Sequence, residues 1–143
     1  MSKSNALETD VLRLLFNGVA IPNLAENASV APATTLYLAL HTSNPGETGS
    51  QDSGEVNYPE YQRVAVARNE TGWIVTGSSV SPTNAIEFPE QLTGTASVAS
   101  HASIGMTASG AGKILYYGAL SPTIACNVGV VPRIRPTSTI TED

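Results

Sequence analysis

Residues 34–49 read TTLYLALHTSNPGETG, an apolar run that passes into a polar turn. Within this run the side chains alternate between two sets, with Leu36, Leu38 and Leu40 in one and Tyr37, Ala39 and His41 in the other. A period of two is typical of a β-strand that has one face in a core. We therefore predict a first strand over residues 35–41, with the three leucines facing inward and His41 at its end.

Similar short segments follow along the chain, each rich in β-branched or aromatic residues and bounded by Gly, Pro, Asn or Ser. Such segments are typical of strands joined by turns. The further predicted strands are residues 61–67, 73–76, 85–88, 97–105, 113–119 and 127–131, with a last strand or an extension over 134–141. No alternation of helices and strands indicates a parallel sheet. The pattern predicts an all-β chain of about seven or eight short antiparallel strands, arranged as a jelly-roll-like β-sandwich.

One helix is predicted, over residues 1–18. Asn5 and Glu8 have the spacing of a capping box, and Gly18 stands where a helix is expected to stop. Its apolar stripe is formed by Leu7, Val11, Leu14 and Leu15, and is widened by Leu12 and Phe16. An amphipathic helix of this kind packs against its own domain or docks on a partner.

The length of 143 residues fits a single domain. We divide it into the helix at 1–18, a loop at 19–33, a β-sandwich at 34–131 and a C-terminal extension or last strand at 132–143. The formal net charge is −5, and Arg133 and Arg135 are an isolated basic pair, so no basic stripe for nucleic acid is predicted. There is no apolar run of membrane-spanning length and no signal-peptide core at the N-terminus. We expect a protein made in the cytoplasm of its cell, with neither a membrane nor a nucleic acid as partner.

Patterns that would carry catalysis are weak. His41 and His101 have no serine in a Gly-x-Ser-x-Gly elbow to activate, and Cys126 stands alone, which excludes an intrachain disulfide and a multi-thiolate zinc site. Glu87 and Glu90 are separated by a proline that favours a turn with both pointing to solvent. The stretch GMTASGAGKIL lacks the Lys-Ser/Thr ending of a phosphate loop and is predicted to be a hairpin turn. We expect no enzyme, no catalytic residue and no cofactor.

Residues 43–60 form a long polar segment that carries four acids, Glu47, Asp52, Glu55 and Glu60. Their spacing does not match a calcium-binding loop, so no metal site is predicted. Connections of this length are commonly functional or mobile, and contact with solvent or a partner is expected. The candidate partner contacts of the whole chain are Leu7, Val11, Leu14, Leu15, Glu47, Glu55, Arg133 and Arg135.

The order of these elements resembles a family of small virion proteins of tailed bacteriophages. The resemblance rests on an L-Y-L-A-L strand, an N-P turn, a G-E-V element followed by Y and R, an I-E-F-P step, an H-x-x-I strand and the run L-Y-Y-G-A-L. The matching positions are residues 36–40, 44–45, 54–56 with Tyr61 and Arg63, 86–89, His101 with Ile104, and 115–120. Members of the family are commonly labelled tail-fibre proteins, and the best-understood relatives resemble jelly-roll capsid cement proteins.

The resemblance implies a structural protein of the virion. As a cement or decoration protein it would sit on the capsid surface, bind the phage major capsid protein and itself, with a homodimer ahead of a trimer, and stabilise contacts between shell subunits. One alternative is a tail or baseplate structural protein of the same particle. A second alternative is a carbohydrate-binding β-sandwich, in which Trp73, Tyr58, Tyr61, Tyr116 and Tyr117 would form a stacking platform, or a small hydrolase.

Overall fold

The computed structural model describes residues 3–21, 25 and 32–142. Within these ranges the chain forms a single α-helix and nine strands. The elements are α1 (Asn5–Leu12), which continues as a π-helical turn (Arg13–Asn17), β1 (Thr35–His41), β2 (Val64–Ala67), β3 (Trp73–Thr76), β4 (Ser79–Pro82), β5 (Ile86–Glu87), β6 (Ser97–Gly105), β7 (Ile114–Cys126), β8 (Arg133–Ile134) and β9 (Ile140–Thr141).

The strands form three sheets, with the orders β2-β1-β6-β7, β3-β4-β9 and β5-β8. The β1–β6, β6–β7, β3–β4 and β4–β9 pairs are antiparallel. The predicted class, an all-β chain with antiparallel sheets and one N-terminal helix, is confirmed. Among the described strands no sheet closes into a barrel, and the arrangement is consistent with a small β-sandwich. The jelly-roll topology stays a prediction.

The chain divides into two compact units. The first consists of the described residues within Met1–Thr35, Ala67–Ile86 and Ile134–Asp143, and the second of Leu36–Val66 and Glu87–Arg133. The prediction of one domain over residues 1–143 is left as a prediction. The 19–33 loop falls largely outside the described residues.

The core of the first unit is formed where the N-terminal helix meets β3. Leu12 and Phe16 are fully buried, and the Phe16 ring meets the Trp73 ring edge-on with centroids 4.9 Å apart. The predicted stripe is therefore displaced: Leu7, Val11, Leu14 and Leu15 are only half-buried. The buried pair, Leu12 and Phe16, has the i, i+4 spacing of neighbours on one helix face, and this face is the one turned to β3.

Both ends of this helix have identifiable caps. Ser4, not the predicted Asn5, is the N-cap, and its hydroxyl accepts a hydrogen bond from the Leu7 amide at 3.3 Å. Gly18 ends the helix with φ at 69°, as predicted. The last carbonyls, which have no partner inside a helix, accept from the Arg68 guanidinium: Leu15 O lies 2.6 Å from Nε, and Leu14 O is bonded to Nη2.

The core of the second unit is built on β1. The register places Leu38 opposite Ile104 and His41 opposite His101 of β6. Leu36, Leu38 and Leu40 are buried, as the alternation predicts. The other face of β1 is not open to solvent, however, because Ala39 and His41 are fully buried as well. Residues of the 43–60 segment cover that face, since the Ser53 carbonyl reaches the His41 ring.

Two strand predictions in the C-terminal half need correction, and one strand there has no counterpart among the predictions. The predicted strand at 127–131 is wrong: Gly129 has φ at 81°, and the Val130 amide donates to the Asn127 carbonyl, which makes a turn. The strand β4 was not predicted, because SVSP lacks β-branched and aromatic residues apart from Val80. The 134–141 prediction is replaced by two short strands, of which β9 pairs with β4 inside the first unit.

Candidate partner-binding surface

The second unit has a shallow cleft of about 470 Å³. One wall is the start of the 43–60 segment, and the other is the end of the β6–β7 turn with the first residues of β7. The lining residues are Gly46, Glu47, Gly49, Ser50, Ala111, Gly112, Lys113, Ile114, Leu115 and Tyr117. The cleft therefore joins the polar segment singled out in the sequence to the β6–β7 hairpin turn.

Arg63 does not line the cleft, but it bonds to both of the segments that form the walls. Its Nε and Nη2 donate to the two carboxylate oxygens of Glu55, each at 2.8 Å. Its Nη1 donates to the Thr107 carbonyl at 3.0 Å, and Nη2 also donates to the Gly110 carbonyl at 2.7 Å. The Arg63 side chain is 1% exposed, so its charge is neutralised by Glu55 and not by water. The hydrogen bonds and charge of Glu55, foremost among the causes, raise the pKa of Arg63, and the guanidinium stays charged.

Gln51, which is fully buried, also bonds to residues on both sides of the cleft. Its amide Nε2 donates to the Tyr37 carbonyl at 3.0 Å, and its backbone amide donates to the Gly112 carbonyl at 2.9 Å. A Cβ atom on Gly105 would stand 2.2 Å from Gln51 Cδ, and one on Gly112 would stand 2.7 Å from Gln51 Oε1. A Cβ on Gly112 would also stand 1.9 Å from Thr107 Oγ1, and one on Gly105 would stand 2.5 Å from the Lys113 carbonyl, so neither position has room for a side chain. We call Arg63, Glu55, Gln51, Thr107 and Gly110 the Arg63 cluster.

His41 is a buried structural residue of the same unit. Its Nδ1 lies 2.9 Å from the Ser53 carbonyl, and its Nε2 lies 2.7 Å from the Ser103 hydroxyl. A carbonyl only accepts, so Nδ1 carries the proton and Nε2 accepts from Ser103. Burial lowers the pKa of His41 and outweighs the opposing effects of the Ser53 carbonyl and the Glu55 charge. The neutral ring therefore satisfies both of its neighbours, and its place is a packing role.

The outer edge of the main sheet is β7. In the sheet order β7 is terminal, and among the described residues its ladder partner is β6. Most of its thirteen residues are exposed or half-buried, and its sequence, ILYYGALSPTIAC, contains no charged side chain. Tyr117, which also lines the cleft, is 38% exposed. The cleft and this edge are therefore one continuous accessible surface on the second unit.

The aromatic residues proposed as a sugar platform are used mainly in packing. Trp73 is 1% exposed and has no free face for a sugar ring. Tyr61 stacks on Phe88 with centroids 5.9 Å apart and meets Tyr58 edge-on at 5.5 Å. Burial raises the pKa of Tyr58 to about 12 and also raises that of Tyr61, so both phenols stay protonated. Trp73 is therefore too deeply buried to stack on a sugar.

A comparison with protein families identifies the family of this chain. The profile described as Podophage GP4 fiber I protein gp80 matches residues 2–141 of the 143-residue chain. The chain belongs to this family. The membership confirms the coarser part of the sequence prediction, a structural protein of a bacteriophage virion. A comparison with curated proteins found no match.

The predicted contact residues of this fiber I family member are dispersed over the two units. Glu47 is exposed at the cleft, whereas Glu55 is held by Arg63 within its own unit. Arg133 is 56% exposed and pairs with Glu87 at 2.6 Å, and Arg135 is exposed. The helical set, Leu7, Val11, Leu14 and Leu15, is half-buried. Sequence reasoning therefore identified one residue of the cleft, and it missed Tyr117 and Lys113 as lining residues.

Residues considered for chemistry have ordinary structural surroundings in this family member. His101 Nδ1 lies 2.9 Å from the Ser100 hydroxyl, and Cys126 is fully buried with its pKa raised by desolvation. Across residues 3–21, 25 and 32–142, no group of three or more His, Cys, Asp or Glu side chains could hold a metal ion. Over the same ranges, no helix has both the length and the apolar character to cross a membrane.

Proposed function

We propose that this protein is a building block of the tail apparatus of a podophage particle, at the level of its fibres. The observation that carries the proposal is the family match, which extends over nearly the whole chain and whose description names a fibre protein. The role is one of binding and assembly, with other proteins of the particle as the partners.

The geometry of the second unit supports a binding role. The charged and titratable groups in its interior, Arg63 and His41, are engaged by neighbours that orient and neutralise them. Groups held in this way stiffen the polar segment and the hairpin turn against β1. A stiff surface loses little conformational entropy when a partner docks, which favours tight assembly. The accessible part of this surface is the cleft with the β7 edge.

The same particle could use such a unit on the head. Sequence resemblance favours a capsid cement protein, whereas the family description names a fibre and so favours the alternative of a tail structural protein. The head location is therefore the competing outcome of the experiment below, and the tail location is the proposed one.

Immunogold labelling of intact particles tests the proposal. An antibody raised against the recombinant protein should label the tail end of negatively stained virions. An antibody against the major capsid protein, applied to the same grids, marks the shell as a matched control. Gold over the shell supports the cement role and contradicts the proposal. Particles that carry the protein in neither place, while infected cells contain it, contradict a virion role of any kind.

A further inference from the structure

Three large apolar side chains of the second unit are exposed on two neighbouring segments. Leu92 is 60% exposed, Val128 is 59% exposed and Val131 is 40% exposed. Single apolar side chains on a surface are normal, but several together mark a place where another molecule binds. We call these three residues the Leu92 patch. It is separate from the cleft, which none of them lines.

Main-chain bonds bring Leu92 and Val128 together. The Gly129 amide donates to the Gln91 carbonyl at 2.8 Å. The strand β5 comes before Gln91 in the chain and pairs with β8, which comes after Gly129, so the two segments run antiparallel. Leu92 is therefore the next residue beyond the bonded pair on one segment, and Val128 is the next residue on the other. Opposed positions of this kind place side chains within contact distance.

The turn that carries Val128 gives no local reason for a valine. The Val130 amide donates to the Asn127 carbonyl at 2.9 Å, and Gly129 has φ at 81°, which makes a type II turn with Val128 at its second position. Proline is common at that position, whereas β-branched residues are enriched in strands. The exposed valine is therefore not required by the turn, and contact with another molecule would account for it.

Carboxylates border the Leu92 patch. Glu60 accepts from the Leu92 amide at Oε2 and from the Thr93 hydroxyl at Oε1, each at 3.1 Å. Glu90 is exposed two residues before Leu92. Arg133, the cation that follows the patch along the chain, is already paired with a carboxylate. The surface is therefore apolar at its centre and acidic at its border.

We propose that the Leu92 patch docks on a segment of another particle protein that presents apolar side chains bordered by Lys or Arg. Burial of the apolar centre supplies affinity, and opposite charges at the border select the partner and its orientation. A second copy that docked by the same patch would bring its own Glu60 and Glu90 against these carboxylates. Like charges placed together disfavour that arrangement, and the formal net charge of −5 on each copy adds to it.

Site-specific photocross-linking tests which molecule occupies the patch. A phage that lacks the gene is grown in cells that supply the chain with Val128 replaced by photoreactive benzoylphenylalanine, and the purified particles are irradiated. Mass spectrometry should place the cross-link on a different particle protein, at a segment in which apolar residues adjoin Lys or Arg. The same replacement at Ile74, which is 49% exposed in the first unit, is the matched control and should not yield this product. A cross-link from position 128 to a second copy, or to an acidic segment, overturns the proposal.

Incorporation into particles tests the apolar centre. The double variant Leu92→Ser, Val128→Ser, supplied in the same way, should be present at least about tenfold below the wild type, measured against the major capsid protein. Ile74→Ser is the matched control and should enter particles as the wild type does. Equal amounts of the double variant and the wild type contradict the proposal.

A charge reversal tests the border and keeps the test decisive if the double variant folds poorly. Glu90→Lys alters one exposed side chain and should lower incorporation about threefold or more, because it repels a basic partner. Glu70→Lys makes the same change in net charge at an exposed position of the first unit and should leave incorporation unchanged. Equal effects of the two reversals contradict a basic partner at the patch.

The inference rests on the proposed function in one respect, that the partner is a protein of the particle. If the wild type enters particles and the double variant enters equally well, the docking surface is wrong and the immunogold result stands. If the wild type supplied in this way never enters particles, the virion role fails and the docking surface fails with it.

Discussion

Arg63 and Glu55 form a two-pronged ion pair in which Nε meets Oε1 and Nη2 meets Oε2, each at 2.8 Å. The Arg63 side chain is 1% exposed, and that of Glu55 is 17% exposed. The pair links the polar 43–60 segment to the residue just before β2, and through Thr107 and Gly110 it reaches the β6–β7 turn. The Arg63 guanidinium therefore joins the two segments that form the walls of the cleft, beside the bond from the Gln51 amide to the Gly112 carbonyl.

Replacement of that guanidinium should be costly. Arg63→Met leaves Glu55 and two backbone carbonyls without their donors, and the loss of one member of a buried pair costs about 3–5 kcal/mol. We expect the lower end, about 3 kcal/mol in the free energy of unfolding measured with urea, because Glu55 keeps some contact with water. Arg133→Met is the matched control: its pair with Glu87 is exposed, and the change should stay within about 0.5 kcal/mol. Equal losses in the two variants would argue against the Arg63 cluster.

His41 makes the stability depend on pH. Because its pKa in the folded protein is lowered, chiefly by burial, the unfolded chain binds the proton more tightly than the folded one. The contribution of His41 to the stability is fully present above the pKa of histidine in the unfolded chain, about 6.5. It is lost as the pH falls below that value toward the lowered pKa of His41 in the folded protein. The free energy of unfolding of the wild type should therefore fall from pH 7.5 to 5.5 more steeply than that of His41→Gln. His101→Gln is the control: it retains His41, so its free energy of unfolding should fall with pH as steeply as that of the wild type. If the wild type and His41→Gln lose stability equally between pH 7.5 and 5.5, His41 is not the group responsible.

Two glycines of the second unit should respond in opposite ways to alanine. Gly105→Ala places a Cβ atom 2.2 Å from the Gln51 side chain and 2.5 Å from the Lys113 carbonyl, and overpacking of this kind costs about 1–3 kcal/mol. Gly118→Ala meets open space in a strand and should stabilise the single chain by roughly 0.5–1 kcal/mol. Thermal unfolding of the two variants and the wild type measures both changes in stability. The same sign for both variants would show that backbone space does not control these positions.

The pair of Phe16 and Trp73 should report on the first unit. Phe16→Ala opens a cavity at a fully buried site next to the Trp73 ring, and such a truncation costs about 3–5 kcal/mol. Since the chain has one tryptophan, its fluorescence during urea unfolding follows this unit directly. Ile74→Ala, at an exposed position next to Trp73, is the control and should change the stability by less than about 1 kcal/mol. A small effect of Phe16→Ala would contradict the core described for this unit.

Periodicity predicted those elements whose residues carry the information locally. The alternation of Leu36, Leu38 and Leu40 marks β1, and Gly18 marks the helix end, because strand faces and helix stops are set by neighbours in the chain. Burial of Ala39 and His41 could not be predicted in the same way. It depends on a polar segment that folds back over β1, and a run with few apolar residues gives no periodic signal.

The Arg63 cluster could not be predicted from the sequence either, because its members are far apart along the chain. Arg63 is bonded to residues at separations of 8 along the chain for Glu55, 44 for Thr107 and 47 for Gly110, and two of its acceptors are backbone carbonyls. Every residue has a backbone carbonyl, so no sequence motif indicates which carbonyl will accept a hydrogen bond. The wrong strand at 127–131 has a local cause instead: Val128, Val130 and Val131 favour a strand, but Gly129 takes a positive φ that bends the chain into a turn.

The measurement that tests the central claim most directly is a cryo-electron microscopy map of the intact particle at a resolution that resolves strands. The account predicts density for the β1–β6–β7 sheet in the fibres or their attachment at the tail. Density for this sheet on the outside of the head shell, in contact with the major capsid protein, would contradict the tail assignment.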